Sequence, residues 1–558
     1  MKQTDNKLID CYTLVAKALK KQDVDNIYGI IGIPVTQLAS SAQEAGIRYI
    51  GFRNEQAASY AAGAAGYLTG KPGVCLTVSG PGFIHGIAGL ANATANCFPM
   101  ILISGSADRE KTGLQQGDFQ ELDQTEAARP FAKAVYKINS IASIGTGVAR
   151  AIRTACSGRP GGVYLDLPAD ILHQTAAAND VDSIIGEKIC PAAAPVPPEA
   201  DLESAIGLIT SAERPLLVIG KGAAYSRAEK EILTFTERNN IPFISAPMAK
   251  GLLPDSHRLS ANSCRSAAMK GADTVLVAGA RLNWIMSHGQ PPKWSDTCRF
   301  IQIDIHPEEF DSNARIALAL TGDIKETFRK INTLSGKSPV QPKTDWLNML
   351  EERKSRNKSK MESALLEIKD PMDFKTAFSV IRNAIRENPE TVLVTEGANT
   401  LDIGRGILDM ELPRKRLDSG TWGTMGIGMG YAIAAATTTS CPVLAVVGDS
   451  AFGFSAMEIE TICRYQLPVV TVIFNNGGIY KGDSINIYNS DPSPTKFVDN
   501  CRYENIMEAF GGEGARVETQ EELNKALKKA CASSSPFLIN CLIDPTAGTE
   551  SGHMTSKN

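Results

Sequence analysis

The fold class this sequence predicts is α/β, with three domains that are each a doubly wound parallel sheet. Three observations predict it. Short apolar, β-rich runs alternate with helical patterns along the whole chain. These runs fall into three sets, divided by a Pro/Ala stretch at 191–198 and a polar stretch at 335–342. The length of 558 residues suits roughly three or four domains.

The first set of strands is Ile27–Ile31, Tyr49–Phe52, Val74–Val78, Met100–Ser104 and Val163–Asp166. The second is Leu216–Gly220, Pro242–Ser245, Thr274–Ala278 and Phe300–Asp304. The third is Val392–Thr395, Val443–Val447, Val469–Phe474 and Phe537–Ile543. Expected domain limits are 1–185, 196–335 and 370–545, with 546–558 as a tail or a closing lid. The charged stretch Glu351–Lys360 reads as the solvated face of a helix.

Composition excludes several partners. A formal charge of -4 leaves no basic footprint for nucleic acid. No apolar run approaches the ~20 residues that span a membrane, so no membrane role is expected. The 12 cysteines are scattered without a C-x-x-C pair, which fits reduced, buried thiols better than a disulfide framework or a zinc site. The N-terminus lacks the apolar core of a signal peptide. A cytoplasmic location follows, with the peroxisome as the alternative for a eukaryotic source. The ending Ser556-Lys557-Asn558 is not a clean Ser-Lys-Leu address.

The densest chemistry lies in the third set. Gly448-Asp449-Ser450 ends one strand and Asn475-Asn476-Gly477-Gly478 ends the next, with the helical stretch Met457–Tyr465 between them. Both clusters therefore stand at the carboxyl edge of a parallel sheet, where open α/β folds bind ligands. A carboxylate, an amide oxygen and a bared carbonyl are hard donors, suited to a magnesium ion that also holds a diphosphate.

In the first set, Arg53-Asn54-Glu55-Gln56 opens an Ala-rich helix. By itself Glu55 is a favourable partner for the helix dipole. Ser79-Gly80-Pro81-Gly82 reads as a tight turn, and Met425, in Gly423-Thr424-Met425-Gly426, reads as core. In the second set, Gly220-Lys221-Gly222-Ala223-Ala224-Tyr225 nearly matches a dinucleotide fingerprint, but Tyr225 replaces the third glycine. It still suits a helix N-terminus facing a phosphate, with Arg281 and Asp304 on the same edge.

Together these motifs resemble thiamine-diphosphate enzymes, in which Gly-Asp-Gly is followed by Asn-Asn. More narrowly, 414–423, 448–455, 460–465, 220–225 and Glu550-Ser551-Gly552 resemble the oxalyl-CoA decarboxylase / 2-hydroxyacyl-CoA lyase family over nearly the whole chain. The resemblance implies thiamine diphosphate and Mg2+ as cofactors, with Asp449, Asn476 and the Gly478 carbonyl as metal ligands. It places Ile33, Glu55, Gly423, Thr424, Met425, Ser450, Ala451 and Tyr480 at the cofactor. Glu55 would hydrogen-bond the aminopyrimidine and activate the cofactor, and Met425 would wedge it into its bent shape. Arg159, Lys221, Arg281, Asp304, Ile324 and Arg405 match nucleotide or CoA positions, with ADP as a candidate activator. The partners implied are an acyl-CoA thioester and a second copy of the chain, as a homodimer or homotetramer.

Two reactions share this frame. Oxalyl-CoA loses carbon dioxide and a 2-hydroxyacyl-CoA loses an aldehyde, and both routes end in formyl-CoA. Tyr480, Ser551 and Gln115-Gln116-Gly117-Asp118 match the decarboxylases. Phe119-Gln120 stands where the bacterial decarboxylases have Tyr-Glu, and with Asn54 and Gly80 it matches the lyase branch. The expectation is a decarboxylase, with the lyase as alternative and Glu55, Phe119, Gln120, Tyr480 and Ser551 as the catalytic candidates. A nucleotide-sensing homologue without activity is disfavoured by the intact Glu55, Asp449 and Asn476. An acetolactate synthase-like enzyme carrying FAD is disfavoured by the Glu-Ser-Gly tail.

Overall fold

The computed structural model describes residues 7–113, 116–335 and 340–550. Three parallel sheets carry the chain. The first has six strands in the spatial order Arg48–Gly51, Asn26–Gly29, Gly73–Thr77, Met100–Ser106, Gly162–Pro168, Ala134–Lys137. The third also has six, in the order Arg416–Leu417, Val392–Glu396, Val443–Gly448, Val469–Asn475, Phe537–Leu542, Glu513–Val517. Numbered along each domain, both sheets follow the same winding, 2-1-3-4-6-5. The second sheet has five strands: Phe243–Ser245, Pro215–Ile219, Thr274–Ala278, Arg299–Asp304 and Ile316–Thr321. A short antiparallel pair, Leu8–Asp10 with Thr175–Ala177, ties the start of the first domain to its end.

The predicted central strands all form, because buried parallel strands are near-continuous apolar runs. The strands not foreseen, Ala134–Lys137, Ile316–Thr321, Arg416–Leu417 and Glu513–Val517, all lie at sheet edges. Three of them are only partly buried along their length: Glu513–Val517 lacks such a run, and Ile316–Thr321, apolar in sequence, exposes alternate residues.

The first and third domains share one hydrophobic core, which includes Tyr60, Phe98, Ile427, Tyr431 and Ile459. The contact is close because its helices are small-residue helices. A methyl on Gly430, in helix Gly428–Thr438, would stand 2.6 Å from the Ala57 carbonyl in helix Glu55–Thr69. Tyr28 and Thr437 hydroxyls meet across this interface at 2.8 Å, and Asn92 Nδ2 donates to Tyr431 Oη at 2.9 Å. Helix Thr344–Leu366 buries Trp346 and Leu350 against the second sheet and leaves most of Glu351–Lys360 to solvent, as its charge pattern predicts.

Candidate active site

The register of the third sheet builds the first half of the site. Gly448 pairs with Phe474, so Asp449 and Asn475-Asn476 leave the sheet at the same level. Asp449 is buried; its Oδ2 accepts from the backbone N–H of Gly477 (2.8 Å) and Gly478 (3.2 Å), and Oδ1 accepts from Ser450 N (2.7 Å). Asn476 donates Nδ2 to the Tyr480 carbonyl at 2.9 Å, which turns its amide oxygen the other way. Gly477 needs its φ of 75°, and Tyr480 is held at a φ of 63°.

Burial pushes the Asp449 carboxyl up to about 6, against the pull of the backbone donors. A dication would reverse that shift. Among the described residues no group of three or more His, Cys, Asp or Glu side chains could hold a metal. One carboxylate with amide and carbonyl oxygens fits the hard, partly hydrated magnesium ion. Ser450 is half-buried beside Asp449, and Ala451 is buried behind it.

The second half is on the first sheet. Asn54 caps helix Glu55–Thr69, accepting from Gln56 N at 2.8 Å. Glu55 keeps 13% of its side chain exposed, and His85 Nδ1 lies 3.0 Å from its Oε2. A methyl on Gly82 would come within 3.3 Å of Glu55 Oε1 and 2.4 Å of Val78 Cγ2, so only glycine fits beneath the carboxylate. Gly80 takes a φ of 50° and donates its N–H to Gln124 Oε1 at 2.6 Å. Gln120, also at positive φ, packs against Gly80 and buries an Oε1 that has no partner. Phe119 is 65% exposed, and Ile33, before the cis Pro34, is 72% exposed. No hydrogen bond is described between Glu55 and Asp449.

Gly423-Thr424-Met425 runs between the halves. Thr424 Oγ1 meets Tyr60 Oη at 3.1 Å. Met425 is half-buried, which corrects its reading as plain core. The turn after it is gripped by Glu396, a fully buried carboxylate at a strand end that accepts from the N–H of Gly426, Ile427 (3.2 Å) and Gly428 (2.6 Å). Burial pushes Glu396 up to about 7 despite these donors. Sequence reasoning missed Glu396, His85 and Gln124. The available signal for Glu396 was a carboxylate at the carboxyl end of an apolar strand.

The tail reaches this region. Gly548 packs directly on the Tyr480 carbonyl, and Thr549 N donates to Asn399 Oδ1 at 3.2 Å. Ser551 and Gln115 lie outside the described residues.

A separate cavity of about 560 Å³ opens between the first and second domains, reaching Asp418, Gly420 and Thr421 of the third. Arg159, Lys221, Arg281, Asp304 and Ile324 all line it. Gly220 and Gly222 let the chain pass against Gly279, where no Cβ fits. Lys221 sits 4.6 Å from the centre of the Phe98 ring, and burial lowers its ammonium to about 8. Arg159 bonds Asp304 (3.1 Å) and Glu309 (2.9 Å), and Arg281 Nη2 bonds Thr421 Oγ1 (3.1 Å). Arg405 is not part of the lining. It donates through Nε and Nη2 to Asp418, both at 3.2 Å, and Asp418 does line the cavity.

Comparison with known proteins agrees with this division. Family models for the thiamine pyrophosphate enzymes match as the N-terminal TPP-binding domain over residues 9–127, the central domain over 202–331 and the C-terminal TPP-binding domain over 397–541. An oxalyl-CoA decarboxylase of Escherichia coli K12 is 50% identical over 99% of this chain and 98% of its own. A 2-hydroxyacyl-CoA lyase of Arabidopsis thaliana is 47% identical over 100% and 99%. Human 2-hydroxyacyl-CoA lyase 1 is 42% identical over 96% and 94%. The chain therefore belongs to the thiamine pyrophosphate enzymes, within the family of oxalyl-CoA decarboxylases and 2-hydroxyacyl-CoA lyases, and is a carbon–carbon lyase.

Proposed function

We propose that this enzyme decarboxylates oxalyl-CoA to formyl-CoA and carbon dioxide, using thiamine diphosphate and Mg2+. The observation that carries the reading is the tail, whose Gly548 and Thr549 dock on Tyr480 and Asn399 beside the metal loop. A segment held there, next to the proposed metal loop, suits a small, carboxylate-bearing acyl group.

The bound cofactor supplies a carbon nucleophile and an electron sink. Asp449, Asn476 and the Gly478 carbonyl hold Mg2+, and Ser450 and Ala451 line the diphosphate. Gly423, Thr424, Met425 and Ile33 shape the space around the rings. Glu55 would hydrogen-bond the aminopyrimidine and activate the cofactor, with His85 Nδ1 3.0 Å from its Oε2. Tyr480 and Ser551 would orient the substrate carboxylate, and Gln120 stands against Gly80 on the Glu55 side of the site. Lys221, Arg159 and Arg281 meet the phosphates of CoA or of an ADP activator, with Asp304 and Ile324 framing the nucleoside. Arg405 holds Asp418 at the cavity wall.

A second copy of the chain completes the site in this reading. Around Glu55, Ile31, Ile33 and Ile84 expose 41%, 72% and 46% of their surface; beside Asp449, Phe454 and Met457 expose 57% and 51%. Apolar side chains at both open edges suit a homodimer or homotetramer. Among the described residues no helix is long and apolar enough to cross a membrane.

The lyase reaction is the second reading, favoured by Phe119, whose exposed ring suits an acyl chain. The deciding experiment offers oxalyl-CoA and 2-hydroxyacyl-CoA thioesters separately and compares kcat/KM, scoring carbon dioxide against aldehyde. Faster aldehyde release would move the assignment to the lyase.

A further inference from the structure

Glu458 is a buried carboxylate, 1% exposed, that belongs to neither the metal set nor the cofactor set. It opens helix Glu458–Arg464 of the third domain, and apart from Thr461 on that helix its hydrogen-bond partners are on the first. Oε1 accepts from Arg53 N (3.1 Å) and Asn54 N (3.0 Å), and Oε2 accepts from Arg53 N (3.2 Å) and Thr461 Oγ1 (2.8 Å). Arg53 and Asn54 are the two residues before Glu55.

The same helical face continues the grip. Arg464 Nη2 donates to the Gly51 carbonyl at 2.6 Å. Tyr465 Oη accepts from Gly51 N at 2.8 Å and donates to the Tyr49 carbonyl at 3.1 Å. Residues 458, 461, 464 and 465 share one side of a helix. Every hydrogen bond described for them across the boundary goes to backbone, along the path from Tyr49 to Asn54 that leads to Glu55, and the Arg48 guanidinium lies 5.7 Å from the centre of the Tyr465 ring.

Apolar packing already joins the two domains, so cohesion does not require a buried acid here. A desolvated carboxylate is costly unless its acceptors are filled. Burial does push Glu458 up to about 7 against its donors. Backbone N–H groups aimed at one carboxylate fix direction as well as distance, and that is what a proton-handling group in the next residue needs.

We propose that Glu458 is a positioning residue for Glu55, fixing across the domain boundary the main chain from which the catalytic carboxylate projects. The proposal rests on the reading of Glu55 as the acid that acts on the cofactor. Glu458→Gln keeps the size of the side chain but sets an amide NH2 in place of Oε2, facing the Arg53 N–H and the Thr461 hydroxyl. Its kcat is expected to fall about 10- to 100-fold, with KM for the acyl-CoA changed less than about threefold. Deuterium uptake in the apo protein, read on peptides covering 49–54, should quicken by about tenfold or more, while peptides from the second sheet stay unchanged.

Thr461→Val removes one donor and leaves the carboxylate. It should shift both readouts in the same direction by less, and it carries the test if the glutamine variant does not fold. Wild-type exchange at 49–54 in the folded variants overturns the proposal, and so does faster exchange with unchanged kcat. Full turnover in Glu55→Gln would instead sink the reading of Glu55; the exchange result still reports on the anchor.

Discussion

The first and third domains wind their sheets in the same order, yet they finish the carboxyl edge differently. In the third, Asp449 is 3% exposed and three backbone N–H groups hold it, all from its own domain. In the first, Glu55 is partly open, its partner His85 is 59% exposed, and its main chain is held by Glu458 of the other domain. The metal and diphosphate role proposed for the third edge calls for a rigid, charged site before the ligand arrives, so local backbone geometry suffices. The proton-handling role proposed for Glu55 calls for an acid that meets a ring supported elsewhere, and its edge is open and takes its position from a neighbour. One topology thus yields a self-contained half and a dependent half.

The sharpest way to break this contrast is at the acid. Glu55→Gln should lower turnover by about 10²- to 10⁴-fold, with cofactor affinity changed far less. Titration calorimetry of the apo protein beside steady-state kinetics checks the split. Equal losses in affinity and turnover would mean that the first edge is also a binding edge.

The third edge should fail in the opposite sense. Asp449→Asn should weaken Mg2+-dependent thiamine diphosphate binding by about 10- to 100-fold or more. Chelation should abolish wild-type activity, and added Mg2+ should restore it. Activity that survives chelator would remove magnesium from the site.

The central cavity gives a smaller, pH-dependent effect. Burial lowers Lys221 to about 8, so the protonated form that attracts phosphate dominates below pH 8 and is lost above it. ADP affinity should therefore fall from pH 7 to pH 9, by roughly tenfold at most. Lys221→Met should flatten the slope and leave kcat nearly unchanged, as fluorescence titration across pH would show.

The mildest change tests cover at the open edge. Ile84→Asp, on the exposed apolar rim of the first domain, should weaken self-association by about tenfold and make activity concentration-dependent. Sedimentation and activity on dilution read the two effects together. An unaltered oligomer would place the dimer contact elsewhere.

Much of this was legible in the sequence. Val443–Gly448 and Val469–Asn475 announce themselves as apolar runs, and the residues that end them follow directly in the chain. Asp449, Asn476 and Gly478 are readable because their partners lie within one strand–helix–strand unit. Edge strands such as Glu513–Val517 were not readable, since half-buried residues there show no apolar run. What Glu396 and Glu458 hold was not readable either. The partners are backbone N–H groups, which carry no residue identity for a motif to show, and those of Glu458 lie in another domain.

The sequence by itself determined the three wound sheets, the placing of Asp449 and Asn476 at one sheet edge and of Glu55 at the start of a helix, because period, turn chemistry and motif spacing are local properties. Only the tertiary structure decided that Met425 stands half-buried on a turn held by Glu396, that Lys221 lies desolvated against Phe98, and that a third-domain glutamate grips the approach to Glu55. These depend on which surfaces meet and how much water leaves between them, and burial of that kind is fixed only when the domains pack.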